Sequence, residues 1–243
     1  MVTISSTTKV RDVALELPQS TRLFEKFKID YCCGGDQPLA AACASAGVDV
    51  QNMLELIQQV KQAPAAGNGT PDLQKATATE LIGYILDKHH VFTKNEMARL
   101  GPLADKVVGA HGANHSELLA LRDLMRQLFE DLRPHMFKEE QILFPFIIAL
   151  EEAREQNRSA PFAPFGTVNN PIRMMLTEHD TVGDLLREMR KLSSDYAVPD
   201  DACISFKTFY KALEAFEQDL HQHIHLENNL LFPKAVALEE MLG

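Results

Sequence analysis

Apolar residues recur every three or four positions along four long stretches in the second part of the chain. This spacing gathers them on one face of an α-helix, whereas a half-buried strand would alternate at every second residue. The pattern predicts helices over about 76–100, 115–155, 171–194 and 200–240. Four long helices joined by loops are typical of an antiparallel bundle. We therefore predict an all-α protein built on an antiparallel four-helix bundle.

The apolar stripes of three of these helices contain ionisable residues. The stripe of the fourth helix consists of Phe209, Leu213, Phe216, Leu220, His223, Glu227 and Leu230. The second helix has a similar stripe of Leu121, Leu124, Leu128, Leu132, His135, Glu139 and Ile142. The third helix shows one face with Met175, His179, Val182 and Leu186. Burying ionisable groups is costly unless they are paired or bind a metal, so these residues are candidate ligands.

The first part of the chain has a different organisation. Its helix-like pieces are short and lie around 9–17, 20–29, 36–46 and 50–61. The stretch APAAGNGTPD (63–72) is rich in Ala, Gly and Pro and is typical of a linker. We therefore predict a small N-terminal helical domain (1–62), a linker (63–75) and the bundle (76–243).

Composition narrows the functional classes. A net charge of -10 and a pI near 5.4 provide no basic surface for nucleic acid. The longest apolar run, FPFIIAL (144–150), is far too short to span a membrane, and the first residues lack the apolar segment of a signal peptide. Four cysteines, two of them adjacent, do not form the pattern of a secreted disulfide framework. The sequence therefore favours a cytoplasmic protein that binds neither nucleic acid nor membranes.

One sequence phrase occurs twice. Residues 135–145 read HMFKEEQILFP and residues 223–233 read HIHLENNLLFP, with His, Glu, Phe and Pro at the same four offsets. Residues four apart lie on one helix face, roughly 5–6 Å apart at Cβ, so each His–Glu pair can bind one ion. The two Phe-Pro pairs are interpreted as shaping or ending the ligand turns. A doubled phrase predicts a doubled site.

The first and third helices supply further histidines in the same register. His90 lies 45 residues before His135, and His179 lies 44 before His223. His89 competes with His90, but the repeat spacing favours His90. Four imidazoles and two carboxylates suit two transition-metal ions bridged by both carboxylates, and iron is favoured because helix bundles often hold carboxylate-bridged iron pairs.

These motifs resemble those of a known family. The bundle resembles a hemerythrin-like domain, and nearly the whole chain resembles the repair-of-iron-centres (RIC) family, also described as YtfE/ScdA/DnrN-type proteins. IDYCCGGDQPLAAA (29–42) is similar to the family's ScdA-type N-terminal domain, and the two HxxxE phrases are similar to its ligand helices. The resemblance implies iron ligation by His90, His135, His179 and His223, with Glu139 and Glu227 bridging.

The resemblance also implies a function. It indicates repair of iron–sulfur clusters after nitrosative or oxidative damage, by iron donation or by reduction of nitric oxide (NO) to nitrous oxide. The cofactor would be two non-haem iron ions, oxo-bridged when oxidised. The partners would be damaged or apo iron–sulfur proteins, with NO as a small-molecule ligand. The sequence leaves open whether the protein forms a homodimer. The alternative is an O₂- or NO-binding or sensing protein without catalysis. Gly183 replaces a second histidine expected in oxygen-carrying hemerythrin, which favours a more open, labile site.

Residues around the candidate ligands have weaker assignments. The vicinal Cys32 and Cys33, before Gly34-Gly35 at a predicted helix end, are candidates for a redox or metal relay, the alternative being two small buried residues. Glu178 and Asp131 are candidates to orient ligating histidines or to form a polar route, the alternative being a solvated helix face. Seven further residues receive a predicted location. Glu140, His111 and His115 are predicted to lie at the surface, and His221 and His225 at the surface or behind a ligating residue. Cys43 and Cys203 are predicted to lie in the core.

Overall fold

The computed structural model describes residues 4–62 and 73–243. Residues 63–72, most of the predicted linker, lie outside the described residues. The all-α prediction is confirmed, since the described ranges contain eight helices and no strand. None of these helices is both long enough and apolar enough to cross a bilayer.

The N-terminal module (residues 4–62) consists of four short helices. They are α1 (Val10–Glu16), α2 (Thr21–Phe27), α3 (Leu39–Ser45) and α4 (Val50–Gln62). Their buried faces form a core of their own around Phe24, Tyr31, Leu39 and Met53. The helix predicted to reach residue 29 ends earlier, because Lys28 adopts a left-handed conformation with φ 57°. Cys32 and Cys33 therefore lie in a loop rather than at a helix end.

The first bundle helix, α5, consists of Ala78–Tyr84, a π-helical turn Ile85–His90, and Val91–His111. A capping box between Thr77 and Glu80 fixes its start. The prediction that this helix ends before Gly101-Pro102 was wrong. A proline inside a helix costs about 3 kcal/mol, but Leu100, Ala104 and Val107 are buried on both sides of it, and their packing offsets that cost.

The other three bundle helices agree with the predicted ranges to within a few residues. Helix α6 consists of Glu117–Lys138, a π turn Glu139–Leu143, and Phe144–Glu155. Helix α7 is the uninterrupted Asn169–Leu192. Helix α8 consists of Ile204–Leu226, a π turn Glu227–Leu231, and Phe232–Leu242. Helix α5 packs against α6 and α8, and α6 packs against α7.

The π turns correct two positions of the predicted stripes. Ile142 is 46% exposed and Leu230 is only partly buried, whereas the next residues, Leu143 and Leu231, are buried. A π turn holds one more residue than an α turn, so the inward face moves by one position beyond each bridging-glutamate candidate. The Phe-Pro pairs do not end the helices either. Each proline lies at the start of the α-helical segment after the π turn, where a missing backbone N–H is tolerated.

Two apolar clusters make up the bundle core, and an ionisable layer lies between them. One cluster extends from the ionisable layer toward the α5–α6 loop, and the other toward the Phe-Pro segments. The N-terminal module packs beside this layer: the ring of Tyr31 contacts that of His225, Glu25 accepts a hydrogen bond from His221, and Cys32 joins the first bundle cluster. The fold therefore brings the vicinal cysteines next to the ionisable layer.

Candidate metal centre

Six ionisable side chains from all four long helices meet in the centre of the bundle. All six are at most 3% exposed: His90, His135, Glu139, His179, His223 and Glu227. They form two groups whose ligand atoms lie within 4.8 Å of one another, and both glutamates belong to both groups. The structure thus brings together every residue predicted as a ligand.

Each glutamate is shared evenly between two imidazole pairs. Glu139 Oε2 lies 3.5 Å from His90 Nε2, and Glu139 Oε1 lies 3.2 Å from His135 Nε2. Glu227 Oε1 lies 3.0 Å from His223 Nε2, and Glu227 Oε2 lies 3.2 Å from His179 Nε2. One pair is therefore His90 with His223, and the other is His135 with His179. Each carboxylate presents one oxygen to each pair, which is the geometry of a bridging ligand.

The π turns contribute to this convergence. Glu139 and Glu227 are the first residues of their π turns, and His90 is the last residue of another. π-helical turns are rare and often occur at functional sites. Here the wider turn changes the helix register directly at three of the six side chains. The same turn therefore determines both the direction in which these side chains point and which of the following residues face the core.

The outer ring nitrogens identify the tautomers of three histidines. His90 Nδ1 donates to Glu140 Oε1, His135 Nδ1 to Glu178 Oε2, and His179 Nδ1 to the Asn228 amide oxygen, each over 2.7 Å. Carboxylate and amide oxygens only accept hydrogen bonds, so Nδ1 carries the proton in each case. The Nε2 atoms of these three imidazoles are then free to bind a cation.

Two of these outer partners were not predicted. Glu140 was expected to face solvent, but it reaches across to α5 and bonds His90 and Lys94 while remaining 21% exposed. Asn228 was not considered. The sequence contained a signal for both, because each directly follows a bridging-glutamate candidate in the repeated phrase. Glu178, which was considered, also pairs with Lys138.

Asp131 has no such role in the structure. It lies on the exposed face of α6, whereas Asp219, at the corresponding place of α8, accepts a hydrogen bond from His89 Nδ1 over 3.0 Å. His89 is buried, and its ring stacks on that of His223 at 5.7 Å and 8°. His89 is therefore a neighbour of the cluster, while His90 is the residue whose nitrogen enters it.

Electrostatics within the cluster demand positive charge. Burial alone would lower the pKa of His135, but Glu139 and Glu178 raise it to about 10. Burial and the charge of Glu227 disfavour ionised Glu139, yet the facing His135 and His90 hold its pKa below the ordinary value. The hydrogen bond from His135 lowers the pKa of Glu178 to about 2. Burial also disfavours ionised Glu227, but His223 and His179 hold its pKa well below the usual range. Both inner glutamates are thus anionic and need cations, either protons on imidazole or metal ions.

The donor set fits iron. Both oxygens of Glu139 and Oε2 of Glu227 are buried without a hydrogen-bond partner among the described residues. Within each pair the two Nε2 atoms face each other at 3.1 Å, with a carboxylate oxygen beside them. Buried acceptors without donors are unfavourable unless a cation satisfies them. Imidazole and carboxylate together suit iron, manganese, cobalt or zinc.

The vicinal cysteines lie against helix α7 beside this cluster. The Cys33 thiol is 3.6 Å from the backbone carbonyl oxygen of His179, to which it can donate. A Cβ at Gly183 would lie 3.8 Å from the same sulfur. Asp30 Oδ1 accepts hydrogen bonds from the backbone N–H of both cysteines and fixes their loop. The hydrogen bond with Cys33 and burial raise the pKa of Cys32. The loop thus adjoins the α7 position at which oxygen-carrying hemerythrin was expected to have its additional histidine.

Four other predictions have mixed outcomes. Cys43 is buried as predicted, but Cys203 is exposed, and hydrogen bonds from the backbone of Phe206 and from His111 lower its pKa to about 7. His225 is buried against the N-terminal module, and burial lowers its pKa to about 4. His221 is partly exposed and faces the same module.

Comparison with known proteins agrees with this architecture. Residues 81–235 match the model of the hemerythrin HHE cation-binding domain, and residues 6–61 match that of ScdA_N, a domain of unknown function (DUF542). The chain is 32% identical over 231 residues to the iron–sulfur cluster repair protein ScdA of Staphylococcus haemolyticus, covering 95% of this chain and 99% of the relative. It is 33% identical over 224 residues to the iron–sulfur cluster repair protein YtfE of Yersinia pseudotuberculosis, covering 92% and 94%.

These matches extend over both parts of the chain. The hemerythrin match contains all six clustered side chains, and the ScdA_N match contains both vicinal cysteines. A hemerythrin-like domain with buried His–Glu clusters fits iron binding. The chain belongs to the hemerythrin HHE cation-binding family, together with the relatives named iron–sulfur cluster repair proteins ScdA and YtfE.

Proposed function

We propose that the central cluster binds two iron ions in a site of four histidines and two bridging glutamates. His90 and His223 would hold one ion, and His135 and His179 the other. The observation that carries this proposal is the even division of each carboxylate: one oxygen of Glu139 and one of Glu227 faces each imidazole pair. The facing Nε2 atoms and the unpartnered carboxylate oxygens support it.

We further propose that the protein takes part in the repair of iron–sulfur clusters damaged by nitrosative or oxidative stress. The names of its relatives support this function. The protein would act by donating iron to damaged or apo iron–sulfur proteins, by reducing NO, or by both. When bound, the iron pair supplies exchangeable positions for NO and the electrons for its reduction.

The surrounding residues have distinct tasks in this proposal. The six buried ligands exclude bulk water and hold their nitrogens and oxygens in place before any ion or NO arrives, which is the advantage of preorganisation. Coupling two NO molecules to nitrous oxide and water consumes two protons as well as two electrons. Glu178 and Glu140 connect buried imidazoles to the surface, being 32% and 21% exposed, so they are placed to carry protons inward.

The vicinal cysteines would relay metal or redox equivalents between this site and a partner. Cys33 is the better placed of the two, because its thiol contacts helix α7 at His179 while the side chain remains only partly buried. Cys32 is buried and its thiol has a raised pKa, so it forms less thiolate. This assigns the accessible step to Cys33 and a supporting position to Cys32.

A second candidate function is binding or sensing of O₂ or NO without catalysis. The observation that favours it is burial, since the six ligands are at most 3% exposed and a closed site retains its metal. Gly183 opposes it, because the additional α7 imidazole of an oxygen carrier is absent and the site loses a ligand. We place repair first for this reason.

The deciding experiment measures both proposed activities on one preparation. Anaerobic, reduced protein with about two irons per chain is mixed with NO while nitrous oxide is measured, and in parallel with an apo iron–sulfur acceptor while cluster formation is measured. Nitrous oxide near one per iron pair, repeated over several cycles, supports reduction. Iron transfer without nitrous oxide leaves iron donation alone, and reversible NO or O₂ binding with neither activity would establish the second candidate.

A thiol control separates the relay from the site. Cys33→Ser is expected to slow iron transfer to the acceptor while leaving iron content unchanged, because the thiol contacts the backbone carbonyl of His179 and not its imidazole. Cys203→Ser is the matched control, since Cys203 is an exposed thiol at the start of α8. Equal transfer rates for the two variants would remove Cys33 from the mechanism.

A further inference from the structure

A second cluster of side chains of the types that ligate metals lies far from the central site. His111 is the last residue of α5, His115 lies in the α5–α6 loop, and Asp201 lies in the loop before α8. One ligand atom from each lies within 4.8 Å of the others. His111 follows His90 by 21 residues on one helix, which at 1.5 Å per residue separates the two clusters by roughly 30 Å. It cannot share ions with the central site.

The imidazole of His115 has the environment of a ligating histidine. Its Nε2 lies 3.0 and 3.1 Å from the two carboxylate oxygens of Asp201. Its other nitrogen, Nδ1, donates to Glu117 Oε1 over 3.1 Å. Metal-bound histidines commonly donate their second ring nitrogen to a carboxylate, which fixes the tautomer and the ring orientation. With Nδ1 directed to Glu117, Nε2 is the nitrogen that faces the Asp201 carboxylate, and a metal ion would replace the proton between them.

Packing holds both imidazoles in place. The ring of Phe206 lies 5.2 Å from that of His111 and 5.3 Å from that of His115, and the two imidazoles are 6.2 Å apart. Phe206 is fully buried, so it provides a fixed surface against which both rings rest. Two neighbouring imidazoles held this way need little further ordering to bind one ion.

A fourth donor is adjacent. Cys203, two residues after Asp201, is exposed; its sulfur lies outside the group of ligand atoms within 4.8 Å of one another, but hydrogen bonds from the backbone of Phe206 and from the side chain of His111 lower the pKa of its thiol to about 7. Two imidazoles, one carboxylate and one thiolate form a complete tetrahedral set for a borderline-soft divalent ion. A hard ion such as Mg²⁺ or Ca²⁺ prefers oxygen ligands only, so this donor set selects against it.

We propose that His111, His115 and Asp201, with Cys203 in the fourth position, form a surface site for Zn²⁺. The site connects the end of α5, the α5–α6 loop and the start of α8. Zn–N bonds of about 2.0–2.1 Å require ligand atoms somewhat closer than 4.8 Å. His115 Nε2 and the Asp201 carboxylate already have such spacing, at 3.0 and 3.1 Å, so the adjustment falls on His111, which is only partly buried and ends α5.

The test counts zinc on the iron-loaded full-length protein. Iron-loaded protein is dialysed against buffered Zn²⁺, and zinc and iron are both counted. We expect one added zinc per chain with the iron retained, and at least tenfold weaker zinc binding in His115→Gln and Asp201→Asn. Asp200→Asn is the matched control, because Asp200 is an exposed neighbouring aspartate outside the cluster, and it should bind zinc like the unaltered protein.

Two results would overturn the proposal. Equal zinc binding by Asp201→Asn and Asp200→Asn would show that the cluster is not the site, and zinc taken up only as iron is lost would place it in the central cluster. Co²⁺ used as a probe in place of zinc tests the thiol. Its thiolate charge-transfer absorption should be present in the unaltered protein and absent in Cys203→Ser, and its absence from both would remove Cys203 from the ligand set.

Discussion

The two imidazole pairs of the central cluster share their carboxylates equally but differ in what lies behind them. In the His135–His179 pair both outer nitrogens donate hydrogen bonds, to Glu178 and Asn228. In the other pair His90 donates to Glu140, but His223 Nδ1 is buried without a partner among the described residues. The sequence repeat reproduces the ligands and one of the two kinds of support, the acceptor that directly follows each bridging-glutamate candidate, but it does not reproduce the acceptor behind His135.

The difference has one identifiable origin. Glu178 precedes His179, and the residue in the corresponding place before His90 is His89. His89 stacks on the ring of His223 and directs its own nitrogen to Asp219, so it provides no acceptor for His223 Nδ1. Outer acceptors fix the orientation of a ligating imidazole and raise its basicity. In the proposed two-iron site we therefore expect the ion between His90 and His223 to be the more weakly held, which agrees with the proposed donation of iron.

The largest effect should come from a residue that both halves share. Glu139→Leu and Glu227→Leu are each expected to remove more than one iron per chain, because each carboxylate faces both imidazole pairs. Iron per folded chain, measured by elemental analysis with circular dichroism, checks this. Glu140→Leu is the control from the same turn and should keep more iron than Glu139→Leu. Loss of one iron or less from both bridging variants would indicate terminal ligation.

Glu178→Gln should affect mainly the ion bound by the His135–His179 pair. The amide removes the negative charge behind His135, and loss of such an outer carboxylate typically weakens metal binding by about 10–100-fold. We expect one of the two irons to be lost faster to a chelator, with the other unchanged. Glu140→Gln should act in the same way on the ion bound by the His90–His223 pair. If both variants accelerated the loss of both irons equally, the two imidazole pairs would not hold their ions independently, and the expected difference between them would be contradicted.

Substitution of His89 tests the His90–His223 pair, in which His223 Nδ1 has no outer acceptor among the described residues. Because His89 contacts Asp219 and the ring of His223 but not the cluster interior, His89→Gln should leave the iron content near normal. Losing the buried contact with Asp219 should lower the free energy of unfolding by about 1–3 kcal/mol. His90→Gln is the matched variant and should lose iron. Loss of iron by His89→Gln with retention by His90→Gln would reassign the ligand.

The clustering of the six candidate ligands could be predicted from the sequence, whereas their supports could be predicted only in part. His135, Glu139, His223 and Glu227 lie at helical spacing on apolar stripes, which predicts that they point inward. Whether Glu140 reaches His90 depends on the distance between two helices, which the spacing along one helix does not contain. The inward face also changes by one residue at each π turn, so Ile142 was assigned to the core in place of Leu143.

Prolines and cysteines show the same limit. Gly101-Pro102 normally ends a helix, and only the apolar packing on both sides of it lets α5 continue to His111. Cys203 was assigned to the core because cysteines are usually buried. Instead it is the exposed residue directly before α8, where the chain turns at the end of the bundle. Local propensity predicts that a helix forms, whereas tertiary contacts decide where the helix ends and which of its residues are exposed.

The smallest effect should come from strengthening an existing support. Asn228 accepts the hydrogen bond of His179 Nδ1 in the position where the other half of the repeat has Glu140. Asn228→Asp replaces a neutral acceptor by a charged one, which makes His179 a more basic ligand and should slow iron loss from its half by a factor of about 3–10. The added charge next to Glu227 keeps the gain below that of a complete outer carboxylate. Asn228→Leu, of similar size but without an acceptor, should accelerate iron loss from the same half. Chelator-driven iron release followed by absorbance gives both rates, and if the two variants changed release in the same direction, the acceptor on His179 would not control it.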